Sequence, residues 1–417
     1  MPGGLTTRGR CLLAAGLAAV LCALVLDERD LLRIAAFVVA LPLLATLAAG
    51  RARLGLEVDR RLVPPRTPAG SASEVRLTLS GASWLGTGGL LLSDGVSAAL
   101  GGCPRFVVDR LPRQSPVLRY PLRPTQRGVH RIGPLVARVS DPFGLAEFGR
   151  ELAGYSRLVV TPVVMPLTGM PAGGEAGSGE QGAGRVRAGQ GEDDVVVRSY
   201  RQGDDLRRVH WRSTARCDEL MVRVEERSWR GGVCVLLDSR AGAHRGHGPA
   251  ASLEYAVSLA ASVCLHLQRH GQRVQLATVA GQLLAGNGEA AGHSGEALLD
   301  ALAALVPVHR GNLVNGPLAP EQDVVAVLGA TTPGAAEQLL RSRPRGSRSS
   351  AVLLDVDAWV PDAGRAGDRP GPVHPAEAAR LLVAAGWSVT VAGPDQPLRV
   401  VWDRLCADSA PRLGATR

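Results

Sequence analysis

The sequence contains no lysine, so all 47 of its Lys and Arg positions are arginine. Aromatic residues are also scarce, at 3% of the chain, whereas glycine is abundant, with 51 residues. This bias is typical of a high-GC bacterial genome, and it weakens any inference from the formal net charge of +9. A basic balance fits nucleic acid or anionic lipid. Because arginine is spread over every region and no nucleic-acid motif is present, we expect no nucleic-acid partner.

Cysteine usage argues against two further kinds of site. The chain has 7 cysteines, an odd number, and it lacks a Cys-X-X-Cys pair. A disulfide framework and a zinc site therefore have no spacing to support them. We expect free and mostly buried thiols in a reducing compartment.

Two long apolar runs mark the N-terminal region. Residues 11–26 carry no charge, and residues 31–50 carry only Arg33. Each run is close to the length that spans a bilayer, and the acidic DERD between them allows only a tight turn. Arginines flank the pair on the opposite side: Arg8, Arg10, Arg51 and Arg53. By the positive-inside rule we expect a two-pass hairpin anchor over residues 1–53 in the cell membrane, with the bulk of the chain cytoplasmic. The alternative is a cleaved signal peptide followed by a buried helix.

Residues 54–165 are built from short apolar runs. In SEVRLTLS (73–80), Val75, Leu77 and Leu79 alternate with polar residues, as in a half-buried antiparallel strand. Gly, Pro and Ser separate the runs at a spacing typical of a sandwich, so we expect a small immunoglobulin-like β-sandwich of about seven strands. The phrase SDPFGL (140–145) has turn chemistry, and we expect its Phe143 to plug the end of the sandwich.

The next segment, residues 166–192, contains almost no large apolar side chain. It cannot bury enough surface to offset the entropy of ordering. We therefore expect a flexible, Gly-rich linker between two domains.

From residue 193 to residue 417, apolar runs alternate with helical stripes. The run GVCVLLD (232–238) is continuously apolar, as buried parallel strands are. This alternation predicts an α/β domain with a doubly wound, mostly parallel sheet. Ligands of such sheets bind beyond the carboxyl ends of the strands, where Asp238 lies.

The richest set of polar residue types lies between residues 195 and 216. A strand over 193–200 and a short helix over 206–214, with Asp204 as its N-cap, are expected there. The candidate residues of this charged motif are Arg198, Tyr200, Gly203, Asp204, Arg207, His210, Trp211 and Arg216. The arginines can form a structural ion-pair network with nearby acidic residues. Alternatively, the motif docks a protein partner or an anionic group, since Arg and Trp dominate binding hot spots. A catalytic role for His210 as general base lacks a nucleophile beside it.

The phrase RSYRQGDDLRRVHWRSTAR (198–216) resembles the signature of the domain-of-unknown-function 58 family, R-x-Y-x-x-G-D-x-x-R-x-[IV]-[HND]-W-x-x-[ST]-A-R. SDPFGL and the two apolar runs are similar to that family's usual layout. The resemblance implies a von Willebrand A-like domain after the β-region. It also implies a MoxR-type AAA+ ATPase as partner and, less regularly, a transglutaminase-like membrane protein. It implies no reaction.

Von Willebrand A domains that bind a metal carry D-x-S-x-S at the end of the first strand, because these oxygens suit a hard divalent cation. Asp238 keeps the first position, but Arg240 and Gly242 replace the two serines. We therefore expect a degenerate site without a metal or other cofactor, in which Asp238 is the partner of an arginine or a strand-end cap.

These observations predict a non-enzymatic, membrane-anchored adaptor that works with a MoxR-type ATPase in the assembly or maturation of a membrane or envelope complex. Two alternatives stay open. One is a ligand-binding von Willebrand A module that depends on a divalent cation. The other is a metal-dependent hydrolase that uses Asp238 and His210.

Overall fold

The structure is a computed structural model of the 417-residue chain. It describes residues 4–51, 56–80, 90–108, 116–141, 143–171, 195–199, 211–217, 221–225, 232–286, 294–309, 322–343, 347–360 and 375–409. The chain divides into two compact units, Met1–Pro162 and Val163–Arg417.

The first unit begins with a short strand and a helical hairpin. Strand β1 spans Gly4–Leu5, helix α1 spans Thr7–Leu26 and helix α2 spans Arg29–Arg51. Both helices are long and apolar enough to cross a membrane, and only 17% of each apolar window is buried. A core helix of a soluble protein would be mostly buried instead. The two helices pack closely because α1 has a glycine at their contact. A Cβ on Gly16 would come within 2.8 Å of the Val39 side chain.

The described residues of the first unit form ten more strands. They are β2 (Glu57–Val63), β3 (Arg66–Pro68), β4 (Ser73–Ser80), β5 (Leu90–Asp94), β6 (Arg105–Val108), β7 (Val117–Leu122), β8 (Gly128–Ile132), β9 (Leu135–Ser140), β10 (Ala146–Ala153) and β11 (Ser156–Thr161). The sheets have the orders β1-β10-β9-β5-β6, β2-β4-β7 and β3-β11-β8. Strands β3 and β11 pair in parallel, and the other pairs are antiparallel.

The predicted alternation of β4 is confirmed, since Val75, Leu77 and Leu79 are all buried in the core of this unit. The prediction for Phe143 is wrong, because its side chain is 65% exposed. The turn forms as its sequence indicates: the Asp141 carboxylate accepts hydrogen bonds from the amides of Phe143 (3.0 Å) and Ala146 (2.5 Å). This capped turn directs Leu145 inward and leaves Phe143 outside.

The second unit contains the α/β domain. Its elements are β12 (Val195–Ser199), α3 (Trp211–Cys217), β13 (Met221–Glu225), β14 (Val233–Leu237), α4 (Ser252–Arg269), β15 (Val274–Thr278), β16 (Leu283–Ala285), α5 (Ser294–Ala304), β17 (Asp323–Leu328), α6 (Pro333–Arg341), β18 (Ser349–Leu354), α7 (Pro375–Ala384), β19 (Ser388–Ala392) and α8 (Leu398–Ser409). Strands β12 and β13 form a separate antiparallel pair.

The main sheet has the order β16-β15-β14-β17-β18-β19. All its neighbours are parallel except the edge strand β16, so the predicted mostly parallel sheet is confirmed. Helices α4, α5 and α8 contribute to the core on one face, and α6 and α7 contribute to the core on the other. The chain moves outward from β14 through β15 to β16 and then crosses back to β17. The switch point of the topology therefore lies between β14 and β17.

The start of the predicted linker differs from the expectation. Leu167 is buried in the core beside α4 and α8. Thr168 donates a hydrogen bond to Asp403 (2.9 Å), and the Gly169 carbonyl lies 2.7 Å from Nε2 of His266. Residues 166–171 are thus packed, because Leu167 and Met170 contact the hydrophobic core of the α/β unit. Residues 172–192 lie outside the described part of the chain.

The prediction of mostly buried thiols is also wrong for the cysteines whose exposure the structure describes. Cys234 and Cys264 are buried, Cys406 is partly exposed, and Cys11, Cys22 and Cys103 are exposed. Two of the exposed thiols, Cys11 and Cys22, lie on the apolar helix α1.

Candidate functional site

The charged motif is only partly within the described residues. The side chains of Trp211 and Arg216 are described, both on α3, and the backbone of Arg198 pairs with Val222 across β12 and β13. The remaining motif residues lie outside the described part of the chain: Tyr200, Gly203, Asp204, Arg207 and His210.

Helix α3 ends later than predicted. It runs to Cys217 rather than to Thr214, and the predicted beginning of the helix lies outside the described residues. The longer helix places Arg216 in its last turn, where a positive charge interacts favourably with the helix dipole. Arg216 thus complements the carboxyl end of α3.

Trp211 is the most unusual described residue of the motif. It is 71% exposed. A buried aromatic side chain typically removes roughly 150–250 Å² of surface from water, so this exposure is unusual. Burial of a large apolar side chain is worth about 1.5–3 kcal/mol relative to exposure. Arg216 on the same helix is also exposed, and Trp and Arg are residue types typical of binding hot spots.

Asp238 lies at the carboxyl end of β14, beside the switch point of the sheet. Its carboxylate is fully buried and forms a bidentate pair with Arg240: Nε lies 2.9 Å from Oδ1 and Nη2 lies 2.7 Å from Oδ2. The backbone amides of Arg240 (3.0 Å) and Gly329 (3.2 Å) donate to the same two oxygens. The prediction that Asp238 is the partner of an arginine is confirmed.

The donor set around Asp238 does not fit a hard divalent cation. Such an ion needs several free oxygen ligands, yet both carboxylate oxygens already accept hydrogen bonds from Arg240. The side chain of Arg240 is only 9% exposed. Its guanidinium brings a fixed positive charge to the carboxylate, and Gly242 offers no side-chain oxygen. Arg240 therefore neutralises Asp238 in the way that a metal would.

His244 contacts the backbone of Asp238. Its Nε2 lies 2.8 Å from the Asp238 carbonyl, so this nitrogen carries the proton, and Nδ1 accepts from the Ser252 hydroxyl at 3.2 Å. Burial lowers the pKa of His244 from its ordinary value, with smaller opposing contributions from Asp238. Burial therefore favours the neutral form of the imidazole. In the sequence, no local spacing distinguishes His244 from its neighbour His247.

Ser252 and His244 have the separation of a nucleophile and its base, but they are not placed for catalysis. Ser252 is fully buried, and its oxygen also accepts a hydrogen bond from the Arg245 amide at 2.9 Å. The pair instead joins the loop after β14 to the first residue of α4.

The crevice at the switch point is bridged by backbone. The Ala330 amide donates to the Ala243 carbonyl at 2.7 Å, and Arg240 Nη2 donates to the Ala330 carbonyl at 3.3 Å. Gly329 lies so close to Ala243 that a Cβ at this position would clash with the Ala243 carbonyl oxygen. The loops after β14 and β17 therefore contact each other where ligands of doubly wound sheets usually bind.

Comparison with known families assigns this region. Residues 196–326 match the family model described as "Protein of unknown function DUF58". This match confirms the predicted resemblance to the DUF58 family for the matched segment. The segment extends from β12 into β17, so it includes α3, Asp238 and Arg240. No curated protein matches the chain.

Proposed function

We propose that this protein is a non-enzymatic, membrane-anchored adaptor that docks a protein partner through its charged motif. The observation that supports this most directly is the exposure of Trp211 on α3, a helix that also exposes Arg216. A large aromatic side chain in water gains free energy when a partner covers it.

The anchor is the helical hairpin, with both ends in the cytoplasm. The arginines that flank it support this orientation, because positive charge is retained on the cytoplasmic side. The alternative of a cleaved signal peptide is disfavoured by the contacts of the first residues. Strand β1 pairs with β10, and the Thr6 hydroxyl donates to the Gly144 carbonyl at 2.6 Å. Cleavage after α1 would remove these bonds from the folded β-unit.

The domain types are part of the same proposal. The α/β unit is a von Willebrand A-like domain, which its strand order and the position of Asp238 after the first strand support. The strands of the first unit form an immunoglobulin-like sandwich, which their mostly antiparallel pairing supports.

The partner is a MoxR-type AAA+ ATPase, and a transglutaminase-like membrane protein is a further component of the complex. This identification rests on the family resemblance of the motif. The role is the assembly or maturation of a membrane or envelope complex, in which the hairpin holds the ATPase at the membrane. The adaptor needs no reaction of its own: the carboxylate of Asp238 and the hydroxyl of Ser252 are both buried and hydrogen-bonded.

Co-purification tests the docking. The detergent-solubilised wild-type protein is expected to retain the adjacently encoded MoxR-type ATPase. Trp211→Ala is expected to weaken retention at least about tenfold, as loss of a hot-spot residue does, and Arg207→Ala combined with Trp211→Ala is expected to abolish it. Tyr155→Ala is the matched control, because it removes another exposed aromatic side chain, from the β-unit.

Two results would refute the proposal. One is a wild-type protein that retains no ATPase, and the other is a double variant that retains it as well as wild type does. Calorimetric binding of Mg²⁺ or Mn²⁺ that disappears in Asp238→Ala would instead support the cation-dependent ligand-binding module.

A further inference from the structure

The turn at residues 143–145 joins the β-unit to the apolar hairpin. Leu145 is buried in a small cluster with Ala45 of α2, and Leu12 and Leu41 pack against this cluster. The backbone also contributes, since the Thr6 amide donates to the Leu145 carbonyl at 2.8 Å. The turn is therefore fixed against both helices, on the first apolar turns of α1 and the last apolar turns of α2.

The position of the turn along the helices sets its depth. Leu12 lies four residues beyond Arg8, which corresponds to about 6 Å along the axis of α1. Ala45 lies six residues before Arg51, or about 9 Å along α2. If the flanking arginines lie at the headgroups, Leu145 reaches the boundary between headgroups and acyl chains. Amphipathic elements that lie in the interface reach a similar depth, about 5–10 Å.

Phe143 lies two residues before Leu145 and points away from the protein. Helix α2, against which Leu145 packs, also carries exposed apolar side chains, namely Leu43, Leu44 and Leu47. The Arg8 guanidinium lies 4.0 Å from the point where a Cβ on Gly144 would sit. The surface thus combines an aromatic ring, an aliphatic helix face and a positive charge, which is the chemistry that binds an anionic lipid surface.

We propose that the turn at residues 143–145 is a membrane-inserting element, in which Phe143 enters the interface of the leaflet at the N-terminal end of α1, and Arg8 lies against its phosphate groups. The partner is the phospholipid bilayer itself. This inference rests on the proposed membrane anchor and extends it: the β-unit is seated on the membrane by a second contact and does not hang freely from the hairpin.

Depth-dependent quenching tests the inference in the full-length protein. A fluorescent amino acid replaces Phe143, and the protein is reconstituted into nanodiscs of phosphatidylcholine and phosphatidylglycerol with a quencher near the top of the acyl chain. Phe143 is exposed, so the substitution leaves the core intact. The quenched fraction at position 143 is expected to exceed that at position 155 by at least about twofold, because only the first site lies at interfacial depth.

Two reference positions make the outcomes distinct. Tyr155 is exposed and follows the far end of β10, whose eight residues extend about 26 Å from the turn. Leu21 is exposed in the second half of α1 and reports a quencher placed deep in the bilayer. Equal quenched fractions at positions 143 and 155 would overturn the inference. If the deep quencher still quenches position 21, the membrane anchor itself stands. Absence of deep quenching at position 21 would overturn the anchor, and with it the inference and the proposed function.

Discussion

Each unit of the molecule buries an arginine–aspartate pair, and the two pairs are built differently. In the β-unit, Arg60 of β2 meets Asp94 of β5, with Nη2 at 2.6 Å from Oδ1 and side chains that are 2% and 0% exposed. Tyr120 of β7 donates to the same carboxylate at 2.6 Å, and Arg60 also donates to the Ile132 carbonyl at 3.1 Å. In the α/β unit, Asp238 and Arg240 are two residues apart on one loop.

The difference indicates two roles for the same chemistry. The pair of Arg60 and Asp94 connects strands of different sheets, so it fixes how the sheets pack. The pair of Asp238 and Arg240 joins two residues of one loop, at the edge of the sheet where ligands usually bind. It satisfies a carboxylate that would otherwise attract a cation. The pair of Arg60 and Asp94 therefore stabilises the packing of the sheets, and the pair of Asp238 and Arg240 neutralises the charge at the site.

The largest expected effect comes from breaking the pair in the β-unit. Asp94→Ala leaves the Arg60 guanidinium buried without its carboxylate and removes the acceptor of Tyr120. We expect the free energy of unfolding to fall by about 3–5 kcal/mol, as for other broken buried pairs. Denaturant unfolding of the detergent-solubilised protein, followed by circular dichroism, measures this loss.

A control for that variant lies in the same unit. Asp59→Ala removes an exposed partner of Arg61, and exposed pairs contribute only about 0–1 kcal/mol. Replacement of both Arg60 and Asp94 by Met and Leu is expected to recover most of the stability, because it removes both charges together. A double variant as unstable as Asp94→Ala would contradict a pair that acts through its buried charge.

A smaller effect is expected from Arg240→Ala. The freed Asp238 carboxylate keeps the backbone amides of Arg240 and Gly329 as donors, so it is not left without partners. We expect a loss of about 2–3 kcal/mol, close to that of a hydrogen bond to a charged group. The same denaturant unfolding measures it.

The companion variant sharpens the contrast. Asp238→Asn keeps the shape of the site and removes its charge, and is expected to cost as much as Arg240→Ala or more, because it leaves the guanidinium buried. If Arg240→Ala were more damaging than Asp94→Ala, the distinction between a pair that holds the fold and a pair that only neutralises a site would be wrong.

The features that the sequence predicted correctly depend on patterns within a few residues. The alternation of β4, the apolar run of β14 and the replacement of a serine by Arg240 are all readable within a few residues, and each led to a correct structural statement. The pair of Arg60 and Asp94 has a signal as well, since each charge interrupts the inward-facing apolar positions of its strand. Joining the two requires the sheet topology, because they are 34 residues apart.

The direction of Phe143 illustrates the same limit. The turn chemistry of SDPFGL is local and was predicted, whereas the side chain that enters the core depends on the hairpin packed against the turn. Likewise, His244 and Ser252 come together only because the loop after β14 folds back onto α4. What the sequence could not predict is therefore the meeting of segments that are distant along the chain.

The smallest expected effect separates the two pairs by their response to pH. Tyr120, the neutral partner of the first pair, has its pKa raised by burial and by its bond to Asp94, so it does not titrate near neutrality. His244, beside the second pair, has its pKa lowered by burial. Below the ordinary histidine value, about 6.5, the unfolded chain binds this proton more readily than the folded one. Stability is therefore lost as the pH falls through that value and is fully present above it.

A pair of variants isolates this contribution. His244→Gln is expected to reduce the loss of stability between neutral and mildly acidic pH, measured by thermal unfolding across that range. His266→Gln is the matched comparison, because burial lowers the pKa of His266 as well, with His270 and Arg269 adding to the effect. The charged groups that act on His244 are Asp238, Arg240 and Arg245, so the effect of His244→Gln should shrink in an Arg240→Ala background. If the pH profile of His244→Gln matched that of wild type, the imidazole behind Asp238 would not be the group that makes this pair sensitive to protons.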